Sequence, residues 1–223
     1  MRLSELDYEK LTDKQRMDLV VKNVNYGSIG LKKDRKQNTA IMVLGANSSS
    51  IKERMLTAIE LLKKGYGTHL IVSDDFEPKI KNVEDGNFDI PDVSEDRVHE
   101  EQMKMMYEIA EIFQIREEQM LYFSDDLGYF DNKIKLFDRY ILVTLLPNVR
   151  RALQRFKKVY PHKKFEGCAT IRDFAEWDLK IEDTKSKYSR QILKEAQNLI
   201  EFTKKGYLAD MNVDFIFEEE KKK

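Results

Sequence analysis

The residues best suited to bind a ligand follow apolar runs that are typical of strands. The turn Gly45-Ala46-Asn47-Ser48 comes directly after the apolar run 40–44 and before a helical pattern. The backbone N–H groups of such a turn, together with the helix dipole, can hold a phosphate or a carboxylate. The turn contains neither G-x-G-x-x-G nor G-x-x-x-x-G-K-[ST], so it lacks the dinucleotide-binding and P-loop fingerprints. Ligand contact and a simple connection between two elements are both compatible with it.

A second candidate for anion binding is Arg151, one turn into a predicted helix that follows the apolar run 140–144. A guanidinium at that place can clamp an anion through two parallel hydrogen bonds. Basic side chains surround it, among them Arg150, Arg155 and Lys157. The alternative interpretation is therefore a charged helix face without a ligand.

Carboxylates are concentrated after two other predicted strands, which places them at one edge of a parallel sheet. The acidic residues are Asp74, Asp75, Asp125, Asp126 and Asp131. Such a cluster could coordinate Mg²⁺ or hydrogen-bond ribose hydroxyls or an amine. The alternative, which we favour, is that these residues form turns and cap helices. Glu100, near the start of a further predicted helix, could orient a loop or bind the ligand.

The chain is organised around a predicted strand–helix–strand unit. Residues 40–44 form an apolar run of the kind that is buried on both faces of a sheet, and residues 68–73 form a second one. Between them, apolar residues recur at helical spacing from Ile51 to Leu62, and Gly65 can end the helix. A βαβ unit of this kind is almost always right-handed, and it presents the turn after its first strand above the strand ends. We therefore expect the ligand at that turn.

The same patterns predict the remaining elements. Helices are expected at 11–26, 95–113 and 147–158, with a last long helix through Ile192, Ala196 and Leu199, and strands at 120–123, 140–144 and 164–169. Residues 74–96 are a polar connector whose length is typical of a lid or a binding loop.

These elements predict the fold class: a three-layer, Rossmann-like α/β domain with a mostly parallel sheet of about five strands. At 223 residues, the chain is expected to form a single domain, residues 1–223. The N-terminal helix at 11–26 and C-terminal helices within 172–206 should pack on the sheet. A switch point is expected beside the strand at 40–44, while the pattern leaves the strand order open.

Composition excludes several classes of function. The 40 acidic and 39 basic residues nearly cancel, so no bulk field favours nucleic acid or an anionic membrane. One cysteine, Cys168, excludes an internal disulfide and every multi-cysteine zinc cluster, and the three histidines do not stand at ligand spacing. The first ten residues lack an apolar signal region, and no run approaches the roughly 18 apolar residues of a membrane span. We expect a cytoplasmic protein without a membrane span, and its oligomeric state stays open.

Short motifs follow one another in a fixed order along residues 40–160. After Val43-Leu44-Gly45-Ala46-Asn47 come, in order, Arg54, Ala58, Leu61 and Gly65, then Val72-Ser73-Asp74-Asp75, Glu100, Asp131-Asn132, Val143-Thr144-Leu145, Asn148 and Arg151-Ala152. In their order and spacing these motifs resemble the YdcF-like family, which includes the SanA and ElyC envelope proteins and is also labelled domain of unknown function 218. The layout is most similar to that of YdcF, which also has an extra N-terminal helix.

The resemblance implies a ligand and a set of residues that bind it. It implies a nucleotide-type ligand, with S-adenosylmethionine as the named candidate cofactor, in a Rossmann-like pocket. Together with the loops that follow the predicted strands, it predicts these ligand-binding residues: Gly45, Ala46, Asn47, Ser48, Ser73, Asp74, Glu100, Asp125, Asp131, Asn132, Thr144, Asn148 and Arg151. The chain departs from the family pattern at Asp74-Asp75, where the family has two glycines, and at Asn148, where it has a histidine. Proton transfer assigned to that histidine cannot operate here.

Two further functions remain as alternatives. The first is metal-assisted hydrolysis or transfer on a phosphorylated substrate, with the acidic loops as Mg²⁺ ligands and Arg151 as the anion clamp. The second is a non-enzymatic module of envelope biogenesis, which rests on the SanA and ElyC relatives. Those relatives carry membrane anchors that we do not expect in this chain, so we rank this alternative last. The motifs contain no nucleophile–base pair, since no histidine falls on them and Cys168 is distant, so the sequence leaves enzymatic activity open.

Overall fold

The computed structural model describes residues 1–22, 24–34, 37–45, 48–73, 95–123, 134–170 and 186–213. The strands are β1 Asn25–Tyr26, β2 Thr39–Val43, β3 His69–Ser73, β4 Met120–Phe123, β5 Arg139–Thr144 and β6 Lys164–Ala169. The helices are α1 Asp13–Val21, α2 Ser48–Lys63, α3 Glu95–Ile112, α4 Leu146–Val159 and α5 Lys187–Lys204, with short 3-10 helices at Leu3–Glu5, Tyr8–Lys10 and Glu117–Gln119.

The strands form one sheet of six strands in the order β1-β6-β5-β2-β3-β4, and every pair is parallel. This confirms the Rossmann-like α/β class, with one strand more than the sequence predicts. All residues of β2 and β5 are buried, as expected of central strands that helices cover on both faces.

Helices pack on both faces of the sheet, and the side chains of β2 alternate between them. Ile41 and Val43 pack in the cluster formed with α2 and α3, where Met55 and Met106 are also buried. Ala40 and Met42 face the opposite cluster, which includes Phe156 of α4. Two further helices, α1 and α5, pack against α4 in an apolar cluster on that side. The result is the predicted three-layer architecture.

The switch point of the sheet lies between β2 and β5. The crossover from β2 to β3 passes through α2 on one face, while the crossover from β5 to β6 passes through α4 on the other. Loops that leave adjacent strands toward opposite faces open a crevice beyond the carboxyl ends of these strands. The expected switch point beside the first predicted strand is therefore present.

The segment predicted as one helix, 11–26, is instead a helix followed by a strand. A capping box between Thr12 and Gln15 starts α1, but the backbone at Lys22 is extended and ends it. Residues Asn25–Tyr26 then pair with the outer edge of β6 as β1. Hydrogen bonds from a distant strand outweigh the local helical pattern here, because an open sheet edge offers partners for the backbone.

The ends of other elements agree closely with the pattern. After α2, Gly65 adopts a positive φ of 76°, and the Tyr66 N–H donates to Leu61 O over 3.0 Å, a Schellman ending. In the C-terminal part, α5 accounts for residues 187–204, while residues 171–185 lie outside the described part of the chain. No helix within the described ranges combines the length and apolarity needed to cross a bilayer.

Candidate functional site

Three residues form a row across the central strands at the carboxyl edge of the sheet. Val43 is in register with both Val143 of β5 and Val72 of β3. The next residue, Leu44, therefore lies between Thr144 and Ser73, and its N–H donates to Val143 O over 3.2 Å. Thr144 and Ser73, the outer members of the row, are two strand spacings of about 4.8 Å apart, which is about 10 Å in total. Of the predicted site residues, Thr144 therefore lies directly at the switch point between β2 and β5, and Ser73 lies one strand away from it, beyond β2.

Thr144 is the most informative residue of this row. It has no exposed surface, and alternation along β5 directs it to the face of Tyr140 and Leu142, which α4 covers. Its Oγ1 has no hydrogen-bond partner among the residues that the structure describes. A buried hydroxyl without a partner is unfavourable, by about 1–3 kcal/mol, unless another molecule supplies the missing hydrogen bond.

A buried arginine of α2 binds the two residues that directly follow β2, Leu44 and Gly45. Arg54 is 2% exposed, and its Nη1 donates to Leu44 O over 2.7 Å and to Gly45 O over 2.6 Å. Because a guanidinium stays protonated in proteins, a positive charge lies directly beneath Gly45. The N-terminus of α2, at Ser48, adds a partial positive charge at the same edge. This edge is therefore electrostatically suited to a carboxylate or a phosphate.

Arg54 is a functional candidate that is absent from the site residues predicted from the sequence. It matches a motif of the YdcF-like resemblance, but the resemblance does not imply that it binds the ligand. Its position contains a signal, since it lies three residues after Ile51 and four before Ala58, both of which are buried. A basic residue within the apolar stripe of a helix must find polar partners inside the protein. Here these partners are the carbonyl groups of Leu44 and Gly45, which directly follow β2.

Asn148 and Arg151 lie in the first two turns of α4, which begins two residues after β5. Arg151 Nη2 donates to Asn148 Oδ1 over 3.3 Å. Its Nε lies 3.2 Å from Glu195 Oε1 of α5, an ion pair without the alignment of a hydrogen bond. The Arg151 side chain keeps 21% of its surface exposed. The predicted anion clamp therefore also joins α4 to α5.

Several of the predicted binding residues fall outside the described part of the chain. They are Ala46, Asn47, Asp74, Asp125, Asp131 and Asn132, together with the side chains of Ser48 and Glu100. The proposed lid within residues 74–96 also falls largely there. Of the predicted set, Gly45, Ser73 and Thr144 lie along the carboxyl edge of the three neighbouring strands β2, β3 and β5, with Thr144 at the switch point.

Candidate nucleophiles and bases do not gather at this edge within the described residues. His69 begins β3 at the opposite edge, and its ring centroid lies 5.0 Å from that of Phe137. Cys168 is buried with Val143 on the α2–α3 face, away from the Thr144 face, and its Sγ lies 3.3 Å from Gly27 O. In the part of the chain that the structure describes, no three His, Cys, Asp or Glu side chains come together in a way that could hold a metal ion.

Comparison with known proteins identifies no family for the chain. No family model matches it, and no curated protein matches it at a significant level. The fold and its switch point define the class, a Rossmann-like three-layer α/β protein. The resemblance to the YdcF-like family stays a prediction, and the function has to be argued from the geometry of the edge itself.

Proposed function

We propose that the protein binds a nucleotide-type small molecule in the crevice beyond the carboxyl ends of β2 and β5. The observation that carries this proposal is the buried hydroxyl of Thr144, which lies at the switch point without a hydrogen-bond partner among the described residues. Ligands of open parallel sheets bind at such switch points. A ligand that accepts or donates a hydrogen bond at Thr144 would remove the penalty of the buried group.

The charge at this edge supports a ligand with a carboxylate or phosphate group. Arg54 holds its guanidinium beneath Gly45, and α2 begins with its positive dipole end at Ser48. S-adenosylmethionine carries a carboxylate next to a nucleoside, and it is also the ligand that the YdcF-like resemblance implies. We therefore propose it as the first candidate. We propose a binding function only and give no residue a catalytic role.

The test replaces Thr144 by valine, which keeps the shape of the side chain and removes the hydroxyl. A thermal-shift screen first presents S-adenosylmethionine, adenine and guanine nucleotides, and Mg²⁺ or Mn²⁺ to the wild-type protein. Calorimetry then measures Kd for the ligand found. We expect Thr144→Val to weaken binding about three- to tenfold, since one hydrogen bond contributes about 0.5–1.5 kcal/mol.

The same substitution should stabilise the ligand-free protein by about 1 kcal/mol, because it removes a buried group without a partner in the described chain. Loss of affinity together with gain of stability is a signature that general damage to the fold cannot produce. Thr203→Val is the matched control, since Thr203 is also buried but its hydroxyl donates to Leu199 O over 2.7 Å. Unchanged Kd in Thr144→Val, or no ligand in the screen, would contradict the proposal.

The cytoplasm is the compartment that we propose for this activity, because a chain with one cysteine can form no disulfide within itself. Cell fractionation tests this location. Recovery of the protein with the envelope would contradict it and would favour the alternative role in envelope biogenesis.

A further inference from the structure

A cavity of about 570 Å³ lies between α4, β6 and β1, at the amino-terminal end of the central strands. Its wall includes Arg139, the first residue of β5, and Lys164, which is in register with it on β6. Thr144 is the last residue of β5, so a strand length of about 16 Å separates the two ends. The cavity is thus distinct from the crevice at the switch point, and its role is independent of the function proposed there.

Basic side chains dominate the wall of this cavity. They are Lys32, Lys33, Arg139, Arg150, Lys157 and Lys164. Among the described residues, the wall has two carboxylates, Asp34 and Glu166. A concave wall with this excess of positive charge concentrates a field that attracts anions. The whole chain is almost neutral, so the local excess is a property of the site and not of the composition.

One buried arginine leaves part of its hydrogen-bonding capacity unused. Arg139 is 1% exposed and binds Glu166 through two bonds, Nε to Oε1 over 3.0 Å and Nη2 to Oε2 over 2.7 Å. Nη2 also donates to Lys32 O over 2.9 Å. The buried Nη1 has no partner among the described residues. Since Arg139 and Glu166 neutralise each other, the net charge of the wall comes mainly from the four lysines and Arg150.

Two of these cations are held in an unfavourable environment. Burial lowers the pKa of Arg150, whose Nη2 donates to Lys22 O. Partial burial also lowers the pKa of Lys157, and the charge of Arg150 lowers it further. Like charges that are partly removed from water destabilise one another unless an anion lies between them.

Apolar side chains form another part of the wall. Val24, Val149, Leu153 and Phe165 line it. Gly167 makes the approach of α4 possible, because a Cβ at this position would lie 2.4 Å from Val149 Cγ1. A cavity of about 300–1,000 Å³ with an apolar wall and a few charged groups is typical of a small-molecule site.

We propose that this cavity is a second binding site, for an organic anion that carries one or two phosphate groups. The phosphate oxygens bind among the lysines, Arg150 and Arg139 Nη1, while the remainder of the molecule packs against Val149, Leu153 and Phe165. The site is structurally independent of the switch point, so both ligands can be bound at once.

The test titrates inorganic pyrophosphate into the full chain by calorimetry at low and at physiological salt. We expect one pyrophosphate per chain, bound more weakly at the higher salt. Lys157→Gln and Lys32→Gln should each weaken binding about three- to tenfold, because each removes one charge from the wall. Lys32 and the partly buried Lys157 both keep a large part of their surface in contact with solvent, so neither substitution should impair folding. Lys158→Gln is the matched control, since Lys158 is an exposed neighbour on α4 that does not line the cavity.

Four outcomes would overturn this proposal. The first is no binding at about 10 mM pyrophosphate, about a hundred times the Kd of roughly 0.1 mM that we expect of such a site. The second is an equal loss in Lys158→Gln, which would show that only the bulk charge matters. The third is tighter binding of single-stranded RNA or of anionic vesicles than of pyrophosphate. The fourth is a loss of pyrophosphate affinity in Thr144→Val, which would show that the anion binds at the switch point instead.

Discussion

Arg151 Nε lies 3.2 Å from Glu195 Oε1, and this ion pair joins α4 to the C-terminal helix α5. The Glu195 side chain is 7% exposed, whereas that of Arg151 is 21% exposed. The pair is therefore better shielded from water on the carboxylate side. A residue predicted to clamp a ligand thus also contributes to the packing of α5, and the two roles can be separated by measuring stability and binding independently.

We predict that Arg151→Ala lowers the free energy of unfolding by about 1–3 kcal/mol, because Glu195 loses this cation in a largely buried position. Urea unfolding measures the change. The double variant Arg151→Ala/Glu195→Gln should recover part of the loss, since it also removes the buried charge. Equal stability of the wild type and Arg151→Ala would argue against a structural role of the pair. A weaker Kd for the ligand of the switch point, in a variant that remains folded, would support the clamp.

The second prediction concerns Arg54, because its guanidinium donates to the carbonyl groups of Leu44 and Gly45, directly after β2. Arg54→Ala should lower the free energy of unfolding by about 2–4 kcal/mol, since it empties a buried volume and removes two donors. Arg54→Met keeps the volume of the stem and should cost less stability. Both variants should weaken binding at the switch point, because the carbonyl groups of Leu44 and Gly45 lose their donor.

Lys52→Ala is the control for these measurements, since Lys52 is an exposed residue of the same helix. Thermal unfolding and ligand titration of the wild type and the three variants separate the two effects. Wild-type affinity in Arg54→Met would show that ligand binding does not require the guanidinium.

We predict that Tyr140 makes the free energy of unfolding depend on pH in the alkaline range. Its side chain is fully buried, and its hydroxyl donates to Ile134 O over 2.7 Å. Burial raises the pKa of Tyr140 above the ordinary value of 10.0, so the folded protein retains this proton when the unfolded chain releases it. The contribution that this raised pKa makes to the free energy of unfolding is fully present below pH 10. It falls as the pH rises above 10, by at most about 1.4 kcal/mol per pH unit.

Tyr140→Phe should therefore unfold with a shallower dependence on pH between about 10 and 11, measured by urea titration at each pH. At neutral pH it should be less stable by about 1 kcal/mol, because Ile134 O loses its donor. Tyr107→Phe, at an exposed position of α3, is the control. An identical slope in Tyr140→Phe and the wild type would show that other groups govern alkaline unfolding.

Local patterns were sufficient to predict most of the elements. The strands β4 and β6 have the predicted bounds, Met120–Phe123 and Lys164–Ala169, and the helix α3 has its predicted start. These segments are short apolar runs or long amphipathic repeats, for which the pattern of burial is contained in neighbouring residues. The predicted parallel arrangement of the strands at 40–44 and 140–144 is also confirmed. It could be predicted because both runs are apolar on both faces, as is typical of parallel strands.

The strand β1 shows where local patterns fail. Asn25 and Tyr26 form no apolar run, and they become a strand because Cys168 and Ala169 present an unpaired sheet edge to them. Their partners are distant in the chain, so no local pattern contains the information. The ion pair between Arg139 and Glu166 is equally non-local, because it requires β5 and β6 to be neighbours.

For the site, local patterns are enough to show which polar residues follow the strands, and they place Gly45, Ser73 and Thr144 among the candidates. Three facts about the site depend on the tertiary fold: Thr144 lies at the switch point, its hydroxyl is buried without a partner in the described chain, and Arg54 lies beneath Gly45. The physical reason is that strand order depends on which face of the sheet each crossover buries. That choice is made by packing free energy distributed over the whole core, and no single segment of the chain encodes it.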